Sequence, residues 1–205
     1  MKNIVRVGVT GPSGAGKGLV CSIFTEDERV YAIDGDKLAR QVVQKGNECL
    51  IELTGAFGRE ILDENGELIR KNLAQIAFSD EEKLKTLNRI THKYIRMRTD
   101  EIISSLDDKI EVVLIDGAAL IEGNYKEELF CMVAVVAPYE LRRERIMMRD
   151  GISKEQAELR MNAQKPNEFY VQNCDYTIVN DGSIEKVEKD CEEILRKIFD
   201  AVKKS

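Results

Sequence analysis

Nothing in this chain favours a membrane, a disulfide framework or a broad nucleic-acid-binding face. The formal net charge is −6, and a polyanion partner needs the opposite balance on at least one face. No apolar run approaches the ~20 residues of a membrane-spanning helix, and the first residues show no signal-peptide pattern. The five cysteines, Cys21, Cys49, Cys131, Cys174 and Cys191, are scattered and odd in number, with no Cys-x-x-Cys pair. Thiols used as small apolar residues in a reducing cytoplasm fit that usage. Tryptophan is absent and histidine occurs once. No Pro- or Ser-rich linker, internal repeat or low-complexity stretch divides the sequence. Its 205 residues, 43% of them hydrophobic, allow one good-sized core with a smaller lobe attached.

What is present begins with Gly11-Pro12-Ser13-Gly14-Ala15-Gly16-Lys17-Gly18. The apolar run Val5 to Val9 leads in, and Leu19, Val20, Ile23 and Phe24 lead out with helical spacing. Strand, glycine-rich turn and helix form the context of a phosphate-binding loop. Glycines let successive N–H groups point at one anion, and the helix N-terminus adds its positive dipole. Pro12, Ser13, Gly14, Ala15, Gly16, Lys17 and Gly18 are therefore the expected ATP-binding residues, with Lys17 on the outer phosphates. Gly18 stands where Ser or Thr commonly gives a hydroxyl to Mg²⁺. The nearest hydroxyl is Ser22, a turn further on. Mg²⁺ retains several waters at most sites, so water can take that place.

Apolar runs at Val30 to Ile33, Val112 to Ile115, Met132 to Val136 and Thr177 to Val179 alternate with helical patterns. This predicts right-handed crossovers and a five-stranded parallel sheet with the first strand central. The fold class is α/β, a P-loop kinase core flanked by helices, with a helical substrate lobe and a lid. The core takes in about 1–36, 110–137 and 170–205, the lobe about 37–109 and the lid about 138–169. Gly55-Ala56-Phe57-Gly58 is expected to break a helix, Asp63 to Gly66 to turn, and Ser79-Asp80 to cap a long helix. Ligands of such sheets gather at the carboxyl ends of the strands.

Asp34, Asp36 and Asp116 map to that edge. Phosphoryl transfer to a hydroxyl needs a carboxylate to orient it and accept its proton. Asp34 and Asp36, two apart at a strand end, are expected to point to one pocket. Asp36 can also cap a helix starting at Lys37. Arg40, one turn on, suits a substrate phosphate or an ion pair with Asp36. Asp116 suits either Mg²⁺ bound through water or a plain turn. Arg142, Arg145 and Arg149 share a helical face, as a phosphate clamp in a lid or as a solvated face paired with Glu140 and Glu144. His92 lies on the long helix, where substrate contact is open to it.

Together these segments resemble the dephospho-CoA kinase family over nearly the whole chain. The similarity is carried by Val7 to Gly11 and the loop, and by Asp34-Gly35-Asp36 with Ala39 to Val43. Phe57-Gly58, Asn65 to Leu68, Arg145, Arg149, Gln164 and Asp175 to Asn180 extend it. The resemblance implies ATP-dependent phosphorylation of the ribose 3′-hydroxyl of dephospho-CoA, with Mg²⁺, in the cytoplasm. It implies Asp36 as general base, Lys17 on the phosphates, and Arg145 and Arg149 over the transferred group. Asp34, Arg40 and His92 then bind substrate. Three departures stand out: Gly18, His92-Lys93 for His-Pro, and Ala118-Ala119-Leu120-Ile121-Glu122 for Pro-Leu-Leu-x-Glu. The loop itself is similar to that of bacterial cytidylate kinase, which keeps a nucleoside monophosphate kinase as the alternative. A nucleotide-binding regulatory paralogue is the other.

Overall fold

The sheet grows outward from its first strand. The computed structural model describes residues 4–117, 120, 121 and 128–203. In chain order the elements are β1 (Val5–Thr10), α1 (Lys17–Phe24), β2 (Val30–Asp34), α2 (Gly35–Val42), α3 (Glu48–Phe57), a 3-10 turn (Arg59–Ile61), α4 (Arg70–Ala77) and α5 (Glu81–Ser105). There follow β3 (Val112–Asp116), β4 (Cys131–Val136), α6 (Tyr139–Asp150), α7 (Lys154–Asn162), α8 (Asn167–Asn173), β5 (Tyr176–Val179) and α9 (Ile184–Val202). Two compact units divide them: Met1–Ile33 with Asp107–Ser205, and Asp34–Leu106.

The first unit carries the parallel sheet, in the order β2-β3-β1-β4-β5. β1 runs beside β3 from Val5↔Val112 to Val9↔Asp116, and beside β4 from Val7↔Cys131 to Thr10↔Ala134. All six residues of β4 are buried, so its side chains face protein on both sides of the sheet. That is why this strand reads as an unbroken apolar run rather than an alternation. On one sheet face, Val7, Val9, Leu114, Val133 and Ile178 pack with Val20 and Phe24 of α1 and with Val187, Cys191, Ile194 and Ile198 of α9. The α9 set recurs every three or four residues, the period of one helical stripe. Phe24 is fully enclosed; truncation to alanine is expected to cost ~3–5 kcal/mol. Burial pushes the Cys131 and Cys191 thiols up to about 12, in keeping with cysteine as a small apolar residue.

The second unit is helical, with its own core of Val42, Cys49, Leu53, Phe57, Ile61, Leu73, Ala77 and Ile90. Asp63 turns the chain as expected, its Oδ1 accepting the N–H groups of Asn65 at 2.9 Å and Glu67 at 2.8 Å. Asp80 caps α5 by accepting the Glu82 N–H at 2.8 Å. The expected break is displaced: α3 continues through Gly55, Ala56 and Phe57 and stops only at Gly58, where φ is 91°. Packing of Leu53 and Phe57 into the core outweighs the low helix propensity of Gly55. α8 has no counterpart in the expected elements.

The strand end also differs from expectation. Helix α2 begins at Gly35, and its cap is Asp34, whose Oδ1 accepts the Lys37 N–H at 2.7 Å. Asp36 is therefore neither a strand residue nor the cap; it sits in the first helical turn. The two-residue strand period does not relate the two carboxylates, because the chain turns helical between them.

Candidate active site

In the first unit, β1 delivers the chain into the loop and α1 receives it. Two glycines make the path possible. A Cβ on Gly11 would stand 2.0 Å from the Val135 carbonyl oxygen, and one on Gly14, where φ is 78°, 2.5 Å from that of Arg142. The loop thus lies directly on the β4 backbone and on the first turn of α6, where no side chain fits. Gly16 precedes α1 as an N-cap without a side-chain bond. The first-turn amides are therefore left to an anion. Lys17 is folded over the loop, its Nζ donating to the Gly11 carbonyl at 3.2 Å.

The arginines of α6 separate by role. Arg145 donates through Nη1 to the carbonyls of Gly14 and Ala15, at 3.3 and 3.4 Å, and through Nη2 to Asn180 Oδ1 at 2.9 Å. Asn180, 2% exposed, returns Nδ2 to the Ala15 carbonyl at 2.9 Å. Arg149 reaches Ser13 Oγ at 3.3 Å and is held by Asp150 at 2.8 Å. That partner keeps the Arg149 pKa above its ordinary value, and Arg149 in turn holds Asp150 below the usual carboxylate range. Arg143 turns away and pairs with Glu140 and Glu158. Of the face formed by Arg142, Arg145 and Arg149, Arg149 alone is largely exposed, and its carboxylate partner is Asp150 rather than Glu140 or Glu144. Among the described residues, no carboxylate pairs with Lys17, Arg142 or Arg145; each donates instead to neutral oxygens.

Asp116 ends β3, in register with Val9 of the strand that enters the loop, and is half-buried. No group of three or more metal-binding side chains occurs among the described residues. One carboxylate beside a phosphate site still fits Mg²⁺, which takes one or two carboxylates plus phosphate oxygens and water. Ser22 Oγ donates to Leu19 O of its own helix at 2.7 Å. A Cβ at Gly18 would meet nothing within 4 Å, so the missing hydroxyl is not enforced by crowding.

In the second unit, Asp34, Asp36 and Arg40 all belong to the start or body of α2 and are exposed. No ion pair joins Asp36 to Arg40 among the described residues, which leaves the Asp36 carboxylate in water. His92 is half-buried on α5. Beside it, Lys93 and the Tyr94 hydroxyl both donate to Glu52 of α3 at 2.8 Å. These bonds hold Glu52 below the usual carboxylate range and raise Lys93. Where the family pattern has proline, Lys93 thus cross-links two helices. Ala118, Ala119 and Glu122 lie outside the described residues.

Residues 5–186 match the family model described as dephospho-CoA kinase. The dephospho-CoA kinase of Aquifex aeolicus is 37% identical over 193 residues, covering 94% of this chain and 97% of that protein. That of rice is 34% identical, covering 94% and 84%. This chain belongs to the dephospho-CoA kinase family. Among solved structures, one from Thermus thermophilus is 30% identical with a TM-score of 0.78, covering 96% of this chain and 98% of that one. The Campylobacter jejuni dephospho-CoA kinase is 27% identical with a TM-score of 0.61, covering 97% and 98%. A shikimate kinase from Acinetobacter baumannii, 18% identical at 0.51, shares the fold alone.

Within this dephospho-CoA kinase relative, the loop, Arg145 and Arg149 come together, while Asp34, Asp36, Arg40 and His92 belong to the other unit. Sequence reasoning gave no role to Asn180, quoted only within the Asp175 to Asn180 similarity and a strand-end turn, nor to Asn167, which bonds Arg142 and the Ala137 carbonyl. Gln164 stood in the lid segment, and it caps the Ser13 N–H at 3.0 Å.

Proposed function

We propose that this chain transfers the γ-phosphoryl group of ATP to the ribose 3′-hydroxyl of dephospho-CoA, giving coenzyme A and ADP. The observation that carries the ATP half is the set of cations on the loop, Lys17 and Arg145 above all. In a chain of net charge −6, Lys17 and Arg145 donate only to neutral oxygens among the described residues. A triphosphate supplies the missing negative charge. Pro12, Ser13, Gly14, Ala15, Gly16 and Gly18 offer backbone to it, and Lys17 leaves the Gly11 carbonyl for the outer phosphates. Arg145 and Arg149 stabilise charge on the transferred group. Asp116 would hold Mg²⁺, which would supply positive charge to the phosphate oxygens when bound.

On the acceptor side, Asp36 takes the 3′-hydroxyl proton as the oxygen bonds to the γ-phosphorus and the bond to ADP breaks. Its exposure, with no ion partner among the described residues, suits a base that must meet substrate. Asp34 caps the helix that carries it and contacts substrate, with Arg40 and His92. No described helix is long and apolar enough to cross a membrane, and we expect the reaction to run in the cytoplasm on these two small molecules.

A coupled ADP-release assay with dephospho-CoA, CMP, UMP and AMP tests the reading. Turnover on dephospho-CoA, with a product phosphorylated at the 3′ position, is expected. Turnover confined to the monophosphates moves the chain to the nucleoside monophosphate kinases, a reading that Gly18 favours. ATP binding without any turnover makes it a nucleotide-binding paralogue.

A further inference from the structure

Arg142 has no part in the chemistry above, yet it is the most deeply buried charged group beside the loop, at 5% exposure. Its Nε donates to the Ser13 carbonyl at 2.9 Å, Nη2 to Gln164 Oε1 at 3.4 Å and Nη1 to Asn167 Oδ1 at 3.5 Å. The same Gln164 oxygen accepts the Ser13 N–H at 3.0 Å. Ser13 is therefore gripped at both its amide and its carbonyl by two side chains that also bond each other. Asn167 is fixed from behind, its Nδ2 donating to the Ala137 carbonyl at 2.9 Å.

All these acceptors are neutral. Arg143, the next residue, has two carboxylate partners; Arg142 has none among the described residues. Burial draws its pKa down, but a guanidinium stays charged in proteins. A buried, unbalanced cation is destabilising unless an anion comes near.

We infer that Arg142 is a positioning residue of the phosphate loop, holding Ser13 so that the amides after it stand ready, with a charge that the bound triphosphate balances. This rests on ATP occupying the loop, and wild-type ATP binding is the control for that premise.

The test compares wild type, R142M and R142K by ATP, ADP and AMP titration, steady-state kinetics and thermal melting. For R142M the KM for ATP is expected to rise about tenfold, the loss of a charged hydrogen bond and its field, with kcat and the KM for dephospho-CoA within about twofold. The affinity loss should grow from AMP to ADP to ATP, a gradation that a general loosening of the fold does not produce. R142K keeps charge but not the fork, and should weaken ATP about threefold. Equal losses for AMP and ATP, or an ATP KM within twofold of wild type, overturn the inference. If R142M does not fold, R142K decides: a graded loss supports it and wild-type ATP binding overturns it. Failure of the wild-type protein itself to bind ATP would instead sink the kinase reading.

Discussion

Replacing Asn180 with leucine removes two bonds at once and keeps the branched heavy-atom shape, with two methyl groups in place of the amide nitrogen and oxygen. Asn180 is enclosed, and its amide joins the Ala15 carbonyl to the Arg145 guanidinium. Losing the first removes the shorter of the two bonds to the Ala15 carbonyl, which keeps its contact with Arg145 at 3.4 Å, about 0.5–1.5 kcal/mol; losing the second removes a bond to a charged donor, about 1.5–3 kcal/mol. Together these come to roughly 2–4.5 kcal/mol. At about 2–4 °C per kcal/mol for a chain of this length, the melting temperature should fall by roughly 10 °C. Asn180→Asp separates stability from charge. The carboxylate still accepts from Arg145, but it neutralises that arginine beneath the phosphates. Its melting temperature should fall less than that of the leucine variant, while the KM for ATP rises about tenfold or more. Circular-dichroism melts and ATP-dependent kinetics read the two effects. An Asn180→Leu protein melting within about 3 °C of wild type, or an Asn180→Asp enzyme with unchanged ATP KM, refutes the reasoning.

Asp36→Asn should lower turnover on dephospho-CoA by ~10²-fold or more if that carboxylate is the base; full ADP release by the variant excludes the role. Gly18→Ser enters open space, so the variant should fold normally and reach half-maximal rate at lower Mg²⁺. An unchanged Mg²⁺ titration would mean that water already fills that coordination position. Arg29 holds the Asp27 carboxyl below its ordinary value, chiefly through the hydrogen bonds between them. A depressed carboxylate pKa contributes stability above the unfolded value of about 3.9, lost as pH falls through the folded value. Asp27→Asn should therefore lower the melting temperature at neutral pH and make little difference near pH 2.5; equal destabilisation at both pH values would contradict this.

Local chain geometry was readable in advance. Gly11 to Lys17 announced a tight turn between a strand and a helix, because such turns need glycine wherever they occur. The central position of β1 followed from alternating strands and helices. Asp34 and Asp36 were harder. Asp-Gly-Asp after an apolar run reads as a strand end and turn, and only the capping bond to Lys37 shows that the helix has already begun at Gly35. Arg142 and Asn180 contact the loop across 129 and 165 residues of chain. Nothing near them in sequence distinguishes a guanidinium aimed at a carbonyl from one aimed at water. Arg143 differs from Arg142 by one helical step of 100° and pairs with two carboxylates instead.

The register of β1 has a consequence for synthesis. Its neighbours on both sides, β3 and β4, begin at Val112 and Cys131, so roughly a hundred further residues must be made before β1 has a partner. At ribosomal speeds of about 5–20 residues per second, that delay is roughly 5–25 s. During it, Val5, Val7 and Val9 present two unpaired, apolar strand edges, the kind of surface on which nascent chains aggregate. Chaperone dependence should accordingly be greatest between emergence of β1 and emergence of β4, and production at lower temperature should raise the soluble yield.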